Sequence, residues 1–352
     1  MKKYISLVLL SCLFSGILSA QQQVKNVIIM IGDGMGVTQV YAGLTANHGS
    51  LNLERAVATG FSKTYSASHY ITESAAGGTA IACGQKTKND HIGVDVNGDS
   101  IPSMLDIAHL KGLATGIVVT CELTHATPAA FSAHQKSRSM ANEIAGDISR
   151  SGIDVLIGGG RKYFENRKDG INLSEKMRKD GYAVGYSLSD TAKVEQGKIL
   201  LLLDSVALPA YPARGEILPN GVSAALNILS KNSDGFILMV EGSQIDWGGH
   251  DNNINKVINE MLDFDRAVAR AFDFADRNPG TLVVITADHE TGGLALTDGD
   301  FEKGTVAAHF ASKNHTSVMV PVFAYGACAE NFTGIFQNTD IFGKICSLLQ
   351  MK

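Results

Sequence analysis

The chain has 352 residues, of which 45% are hydrophobic, enough to bury the core of one large α/β domain or of two smaller ones. Its formal net charge of −5 argues against the strongly basic surface that binds nucleic acid. The combination of 37 glycines and 7 prolines predicts many tight turns and close approaches between backbone segments.

The first twenty residues have the pattern of a targeting segment. Lys2 and Lys3 precede an apolar run, and small residues follow up to Ala20. This pattern predicts a secretory signal peptide over residues 1–20, cleaved near Ala20, and therefore a periplasmic or secreted protein. The stretch LLSC, Leu9–Cys12, resembles a lipoprotein box, so a lipid anchor on the cysteine is the alternative. No later segment has the length and apolar character of a membrane span.

Short apolar runs rich in Val and Ile recur along the rest of the chain, with helical patterns between them. Continuous apolar strands of this kind are covered on both faces, as in a mostly parallel sheet. The stretch 255–275 has apolar residues at helical spacing and predicts an amphipathic helix, which the turn Asn278–Gly280 ends. The polar, loop-rich segment 139–232 is predicted to carry peripheral elements. The predicted strands cover residues 24–31, 115–120, 154–159, 235–240, 281–287 and 318–326.

No internal repeat, low-complexity tract or linker interrupts this alternation of strands and helices. We therefore expect one doubly wound α/β domain over residues 24–350, with a single, mostly parallel central sheet and helices on both faces.

The cysteines leave two alternatives open. Removal of a signal peptide would leave four of the five cysteines, and an exported protein can pair them as disulfides. Cys83 lies in an apolar helical pattern and Cys121 near a predicted strand end, where buried free thiols fit equally well. The chain contains no Cys-x-x-Cys spacing, which argues against a zinc site built from cysteines.

The stretch TESAAGGTA, Thr72–Ala80, places a serine where a helix is predicted to begin. A serine at a helix N-terminus commonly caps the helix, so Ser74 has a purely structural interpretation. The alternative is a nucleophile aimed at an anion that the helix N-terminus holds. The small residues after Ser74 would let another backbone or a ligand approach closely. The stretch differs from the Gly-x-Ser-x-Gly elbow of acyl hydrolases.

Carboxylates and imidazoles follow four of the predicted strands. Open α/β sheets bind ligands at the carboxyl ends of their strands, so these side chains are expected to share one edge. Carboxylates crowded together repel one another, which makes cations their natural partners; mixed His and Asp ligands suit Zn²⁺, and oxygen ligands suit Mg²⁺. Two of the residues, Asp246 and His250, have the i, i+4 spacing of ligands on one helix face. The side chains are Asp33 after the first strand; Glu122, His125 and Thr127 after the second; Glu241, Asp246 and His250 after the fourth; and Asp288 and His289 after the fifth.

Six motifs in order resemble those of the alkaline phosphatases, and the resemblance runs from about residue 24 to the C-terminus. It implies an exported, broad-specificity enzyme that hydrolyses small phosphate monoesters. It also implies the doubly wound fold that the strand pattern predicts. The motifs are IGDGMG (31–36), TESAAGGTA (72–80), THATPAAFSAHQKSR (124–138), VEGSQIDWGGH (240–250), TADHETGG (286–293) and KNHT (313–316).

The resemblance implies that Ser74 is the nucleophile and becomes a phosphoserine, with zinc rather than a histidine base making its hydroxyl acidic. A second zinc would first stabilise the leaving alkoxide and then activate water. Two ions about 3.5–4 Å apart would clamp both oxygens of an in-line displacement. The matching ligands are Asp33, Asp288 and His289 for the zinc that binds the Ser74 oxygen, and Asp246, His250 and His315 for the other.

The same resemblance gives roles to residues around the nucleophile. Arg138 matches an arginine that grips two phosphate oxygens, for which a planar guanidinium has the required fork. Glu73 matches the acid that orients this arginine, although aspartate is usual there and the longer side chain leaves that role open. Thr127, Glu241 and Asp33 match the ligands of a third, magnesium site.

Two positions differ from the magnesium type of this family. His125 stands where some members have aspartate, and Trp247 where some have lysine or histidine. The Asp and Lys pair favours magnesium and a water-bridged phosphate contact, so the third cation here is expected to be Mg²⁺ or another divalent cation. His134 and His309 match no ligand position.

The segment between His289 and His315 is short, which implies a reduced crown-like insertion around 290–314 and a homodimer with a reduced interface. Two other functions are compatible with parts of the pattern. A phosphodiesterase or sulfatase of the same superfamily would usually lack the Thr127, Glu241 and Arg138 set. A non-enzymatic metal- or phosphate-binding protein would not need the nucleophile together with every expected zinc ligand.

Overall fold

The computed structural model describes residues 23–351, and the signal-peptide and lipid-anchor predictions for residues 1–20 lie outside them. A ten-stranded sheet runs through the molecule, with two separate two-stranded sheets beside it. The strands are β1 (Asn26–Gly32), β2 (Ala58–Lys63), β3 (Ala114–Glu122), β4 (Val155–Gly159), β5 (Tyr182–Gly185), β6 (Lys198–Leu202), β7 (Phe236–Gly242), β8 (Thr281–Thr286), β9 (Glu290–Thr291), β10 (Leu294–Asp300), β11 (Thr305–Phe310), β12 (His315–Thr316), β13 (Val320–Gly326) and β14 (Gly334–Gln337).

Helices connect most of these strands. They are α1 (Val37–Ala46), α2 (Ser74–Cys83), α3 (Met104–Leu110), α4 (Ala126–Ala130), α5 (Ala141–Ile148), α6 (Arg161–Glu165), α7 (Leu173–Lys179), α8 (Ile217–Leu229), α9 (Ile245–His250), α10 (Ile254–Arg277) and α11 (Asn338–Leu348). No helix within residues 23–351 is long and apolar enough to cross a membrane.

The central sheet has the strand order β14-β2-β13-β8-β1-β7-β3-β4-β6-β5. β13 is antiparallel to both of its neighbours, and every other neighbouring pair is parallel. All six predicted strands lie in this sheet, so the prediction of a doubly wound, mostly parallel α/β fold is confirmed. The carboxyl ends of β8, β1, β7 and β3 are adjacent, which brings the segments that follow them together.

Two hydrophobic cores lie on opposite faces of the sheet. Because successive side chains of a strand point to opposite faces, Ile29 of β1 joins one core, while Ile28 and Met30 join the other. The predicted amphipathic helix is α10, and its buried Met261 and Phe264 pack into the second core. Full burial of such a side chain contributes about 1.5–3 kcal/mol to folding, so α10 anchors that face.

The prediction that segment 139–232 is peripheral is only partly right. β5 is an edge strand, but β6 lies inside the sheet with Leu200 and Leu201 fully buried. α8 packs Leu218 and Val222 into the second core. These elements are short and separated by polar loops, which lowers the apolar signal of the segment as a whole although its individual elements are buried.

The segment 290–314 forms the β10–β11 hairpin, which lies beside α1. The ring of Phe301 at the tip of the hairpin contacts the ring of Tyr41 edge to face, with centroids 6.1 Å apart. β9 pairs with β12 so that Thr291 is opposite His315. The β10–β11 hairpin thus lies in the chain between β9, which follows β8, and β12, which pairs with β9.

Candidate active site and metal centre

Ser74 is the first residue of α2, and the residue before it caps that helix. The carboxylate of Glu73 accepts hydrogen bonds from the backbone amides of Ala75 and Ala76, both at 2.9 Å. The cap interpretation of Ser74 is therefore wrong, because the cap is supplied by Glu73. The Oγ atom of the buried Ser74 lies instead 3.2 Å from Nε2 of His289. The two amides that Glu73 occupies are also not free to hold an anion.

The small residues after Ser74 allow other segments to approach α2 closely. A Cβ atom at Gly77 would lie 3.0 Å from the carbonyl oxygen of Asp288, and one at Gly78 would lie 3.2 Å from Cβ of Ala130. Both distances are shorter than ordinary carbon contacts, so side chains here would push α2 away. The glycines thus let the carboxyl end of β8 and helix α4 pack directly against the turn that carries Ser74.

The first donor group consists of Asp33, Asp288 and His289, which follow the adjacent strands β1 and β8. Nε2 of His289 lies 3.4 Å from Oδ1 of Asp33 and 3.2 Å from Oδ2 of Asp288. All three side chains are fully buried. Their ligand atoms form one of the groups that could hold a metal ion, and Ser74 is beside it.

The second donor group consists of Asp246, His250 and His315. Nε2 of His250 lies 3.3 Å from Oδ2 of Asp246 and 3.1 Å from Nε2 of His315. The Nδ1 atoms of the two histidines contact the carbonyl oxygens of Lys313 and Thr72, at 2.6 and 3.0 Å. A carbonyl only accepts, so Nδ1 is the protonated nitrogen of each neutral ring and the Nε2 lone pairs are available to a metal.

Buried carboxylates without partners support a cationic site here. Oδ1 of Asp33, Oδ2 of Asp288 and Oε1 of Glu241 accept no hydrogen bond from any described residue. Burial, and next the charge of Asp288, raises the pKa of Asp33 well above its ordinary value. Burial also raises the pKa of Glu241 to about 7. Carboxylates this crowded need positive charge in order to stay ionised, and the donor set of Asp and His residues fits Zn²⁺.

Glu241 is close to two further sets of donors. Thr127 belongs to the first set, and its Oγ1 atom lies 3.4 Å from Oδ2 of Asp33. Cys121 and His125 form the second set, and their ligand atoms make another possible metal-binding group together with Glu241. The ring of His125 also contacts the ring of Trp247 edge to face, with centroids 6.2 Å apart.

Arg138 is held at this edge by Glu73, with Nη1 donating to Oε2 at 2.5 Å. The longer acid thus reaches the arginine while it also caps α2. Burial lowers the pKa of Arg138, but the charge and hydrogen bond of Glu73, together with the charges of Asp33 and Asp246, raise it above its ordinary value, so the guanidinium stays charged. His134 and His309 lie apart from the donor groups: His134 pairs with Asp106 at 3.3 Å, and His309 belongs to β11.

Two residues at the site were not singled out from the sequence. Thr291 donates a short hydrogen bond to Asp246 and lies 3.3 Å from Nδ1 of His289, so it links the two donor groups. Thr291 belongs to the motif TADHETGG, but the motif alone does not indicate that this residue faces the site. The pairing of β9 with β12, which places Thr291 opposite His315, shows this. Cys121 was interpreted only as a buried thiol or a disulfide partner. Its position after an apolar strand, one residue before Glu122, was the available signal.

A serine hydroxyl, a guanidinium and a cluster of metal-binding side chains at the carboxyl edge of a parallel sheet define a metal-dependent hydrolase. The family model for alkaline phosphatase matches residues 24–309. Alkaline phosphatase 3 of Bacillus subtilis is 35% identical over 94% of this chain and 90% of its own length. Alkaline phosphatase of Escherichia coli is 31% identical over 93% and 86%.

Solved structures agree with these matches. The alkaline phosphatase of the Antarctic bacterium TAB5 superposes with a TM-score of 0.89 at 37% identity, over 94% of this chain and 99% of that chain. A histidine-to-aspartate variant of the same enzyme, described with Mg bound in the M3 site, also superposes with a TM-score of 0.89, at 36% identity over the same shares of both chains. The chain belongs to the alkaline phosphatase family, and it is an enzyme of the phosphatase class.

Removal of divalent cations is expected to lower the Tm, because the buried carboxylates then repel one another without a counter-charge. At a free zinc concentration 100 times the Kd, one occupied site contributes about 2.7 kcal/mol to the free energy of unfolding. Thermal unfolding followed by circular dichroism, in zinc and in chelator, measures the difference. Asp33→Asn should shrink it, whereas the exposed Asp298→Asn should leave it unchanged. Equal Tm values with zinc and with chelator would contradict a metal centre.

Proposed function

We propose that the chain is an exported phosphomonoesterase that transfers the phosphoryl group of a small phosphate monoester to Ser74 and then to water. The observation that supports this proposal is the position of the Ser74 hydroxyl, whose Oγ atom lies 3.2 Å from Nε2 of His289. Glu73 caps α2, so the hydroxyl of Ser74 is not used as the helix cap. A serine is suited to act as a nucleophile when its hydroxyl does not cap a helix and lies beside a cluster of metal-binding groups. The N-terminal sequence pattern supports export.

The donor sets support two zinc ions and one further divalent cation. Imidazole nitrogens mixed with carboxylates suit Zn²⁺, and the oxygen set of Asp33, Thr127 and Glu241 suits Mg²⁺. When bound, such ions supply Lewis-acid charge that acidifies a hydroxyl or water and stabilises a leaving alkoxide. The residues proposed to hold the two zinc ions are Asp33, Asp288 and His289 for one and Asp246, His250 and His315 for the other.

In the proposed reaction, Ser74 Oγ attacks phosphorus in line with the bond to the alcohol. The bond from phosphorus to Oγ forms as the bond to the leaving alkoxide breaks, and the serine proton passes to solvent. Water then attacks the phosphoserine from the side that the alcohol left, which returns Ser74 and releases phosphate. Two in-line displacements retain the configuration at phosphorus.

Arg138 is proposed to hold two phosphate oxygens during both steps. Its ion pair with Glu73 uses Nη1, and bidentate charge-assisted contacts between a guanidinium and phosphate are both strong and directional. Because Glu73 is also hydrogen-bonded to the amides of α2, the arginine and Ser74 are supported by the same residue. The β10–β11 hairpin is proposed to be the reduced crown-like insertion of a homodimer.

Hydrolysis of a phosphate monoester, a phosphate diester and a sulfate ester, each with and without a chelator, tests the function. The proposal predicts fast, chelator-sensitive hydrolysis of the monoester only. A faster diester or sulfate ester would favour another enzyme of the superfamily. No hydrolysis of any ester by the metal-loaded protein would favour a non-enzymatic binding role.

The variant Ser74→Ala is expected to lose most turnover and still to bind two zinc ions, because six other side chains are proposed to hold them. It should fold normally, since Ser74 does not cap α2. Ser103→Ala is the matched control: Ser103 does cap α3, so this change should cost about 1 kcal/mol of stability but little activity. Turnover and bound zinc are measured on the same samples. Near-normal activity of Ser74→Ala would remove Ser74 from the nucleophile role.

The variant Arg138→Ala is expected to weaken both catalysis and inhibition by inorganic phosphate. Loss of a charge-assisted contact in a partly dry site should cost about 1.5–3 kcal/mol in each. Arg150→Ala removes a surface arginine that pairs with Asp147 and should change neither. The inhibition constant for phosphate and kcat/KM are the measurements. An unchanged inhibition constant in Arg138→Ala would show that this guanidinium does not bind phosphate.

The double change His125→Asp with Trp247→Lys is expected to raise activation by magnesium and to tighten inhibition by phosphate. Aspartate restores a carboxylate that Mg²⁺ prefers, and lysine adds a positive charge that the single N–H of an indole cannot supply. Activity against magnesium concentration and the phosphate inhibition constant are measured beside His309→Asp, which lies on the hairpin. If neither quantity moves, these two residues do not tune the site.

A further inference from the structure

Cys121 contributes an unexpected donor beside Glu241. Its Sγ atom lies 3.2 Å from Oε2 of Glu241, and both side chains are fully buried. His125 completes the group, in which the sulfur, an imidazole nitrogen and a carboxylate oxygen all lie within 4.8 Å of one another. The three residues come from β3, from the turn after it and from β7, which is its neighbour in the sheet.

Polar atoms without partners point to a ligand at this group. Oε1 of the fully buried Glu241 and Nδ1 of His125 have no hydrogen-bond partner among residues 23–351. An unsatisfied buried polar atom costs about 1–3 kcal/mol, so two in one small group call for a missing partner. A metal ion bound by this group would supply such a partner.

Ser243 holds the cysteine and the carboxylate in place. Its Oγ atom accepts from the backbone amide of Cys121 at 3.2 Å and donates to Oε2 of Glu241 at 2.7 Å. Metal ligands are commonly oriented by hydrogen bonds of this kind. The remaining ring contact of His125, with Trp247, limits the orientation of the imidazole.

We infer that Cys121 and His125 bind the third cation of this enzyme together with Glu241, in place of the all-oxygen set of Asp33, Thr127 and Glu241. The ion is then a borderline or soft divalent ion such as Zn²⁺, in preference to Mg²⁺. Thiolate and imidazole select such ions, whereas Mg²⁺ takes oxygen ligands. On binding, the Sγ proton passes to solvent, and the thiolate and carboxylate together carry the two negative charges that the ion neutralises. The inference rests on the proposed function only for the presence of a third ion. The distances among Cys121, His125 and Glu241 support the donor group independently of that function.

Cobalt reports directly on sulfur ligation, because a thiolate bound to Co²⁺ gives an intense near-ultraviolet charge-transfer absorption that nitrogen and oxygen ligands do not give. The metal-stripped full chain is titrated with Co²⁺, and bound cobalt and the spectrum are recorded together. We expect three ions per chain, one of which produces the thiolate band. Magnesium added at high concentration should not displace that ion.

Cys121→Ser is expected to abolish the band and to weaken binding of that ion by about 10- to 100-fold, while two cobalt ions remain bound. Cys83→Ser is the matched control, because Cys83 is buried in α2 and donates to the carbonyl of Ala130 away from the metal groups. It should keep the band.

A third cobalt ion bound to the unmodified chain without a thiolate band would overturn the inference, whatever the variants do. Persistence of the band in Cys121→Ser would also overturn it. A single band-forming ion without the two others would support the Cys121 site and contradict the two-zinc part of the proposed function, so the two failures are distinguishable.

Discussion

The repulsion among four buried carboxylates is the constraint on which this structure depends. Asp33, Glu241, Asp246 and Asp288 lie at one edge of the sheet, and each is at most 5% exposed. Three of their oxygens accept no hydrogen bond from any described residue. Such a group stays ionised only beside cations, so the interior is built to hold positive charge. Arg138 supplies part of that charge, and the proposed metal ions supply the rest.

The sheet provides the rigidity that this arrangement needs. Because β8, β1, β7 and β3 are neighbours and parallel, their carboxyl ends deliver side chains to one place without long mobile loops. The glycines of α2 then allow Ser74 to approach the ends of these strands closely. Glu73 links the two halves of the site, since it caps α2 and also holds Arg138. Ser74, the proposed nucleophile, and Arg138, the proposed phosphate-binding residue, are therefore positioned by the same carboxylate.

The strands and the residues that follow them could be predicted from the sequence, because both obey simple rules. Apolar runs form buried strands, and the carboxyl ends of parallel strands share one edge of the sheet. The cap of α2 could not be predicted in this way. A glutamate whose carboxylate meets two amides and an arginine 65 positions away depends on tertiary packing. Cys121 was missed for a similar reason. Only the pairing of β3 with β7 shows that its sulfur faces Glu241 rather than a second cysteine.

Cations at the carboxyl edge of the sheet are therefore the central requirement of this site. Anomalous diffraction from crystals of the zinc-grown protein, collected on both sides of the zinc absorption edge, tests it most directly. Strong zinc peaks are expected among Asp33, Asp288 and His289, and among Asp246, His250 and His315. The absence of zinc peaks in both donor groups, in crystals of an active protein, would contradict it.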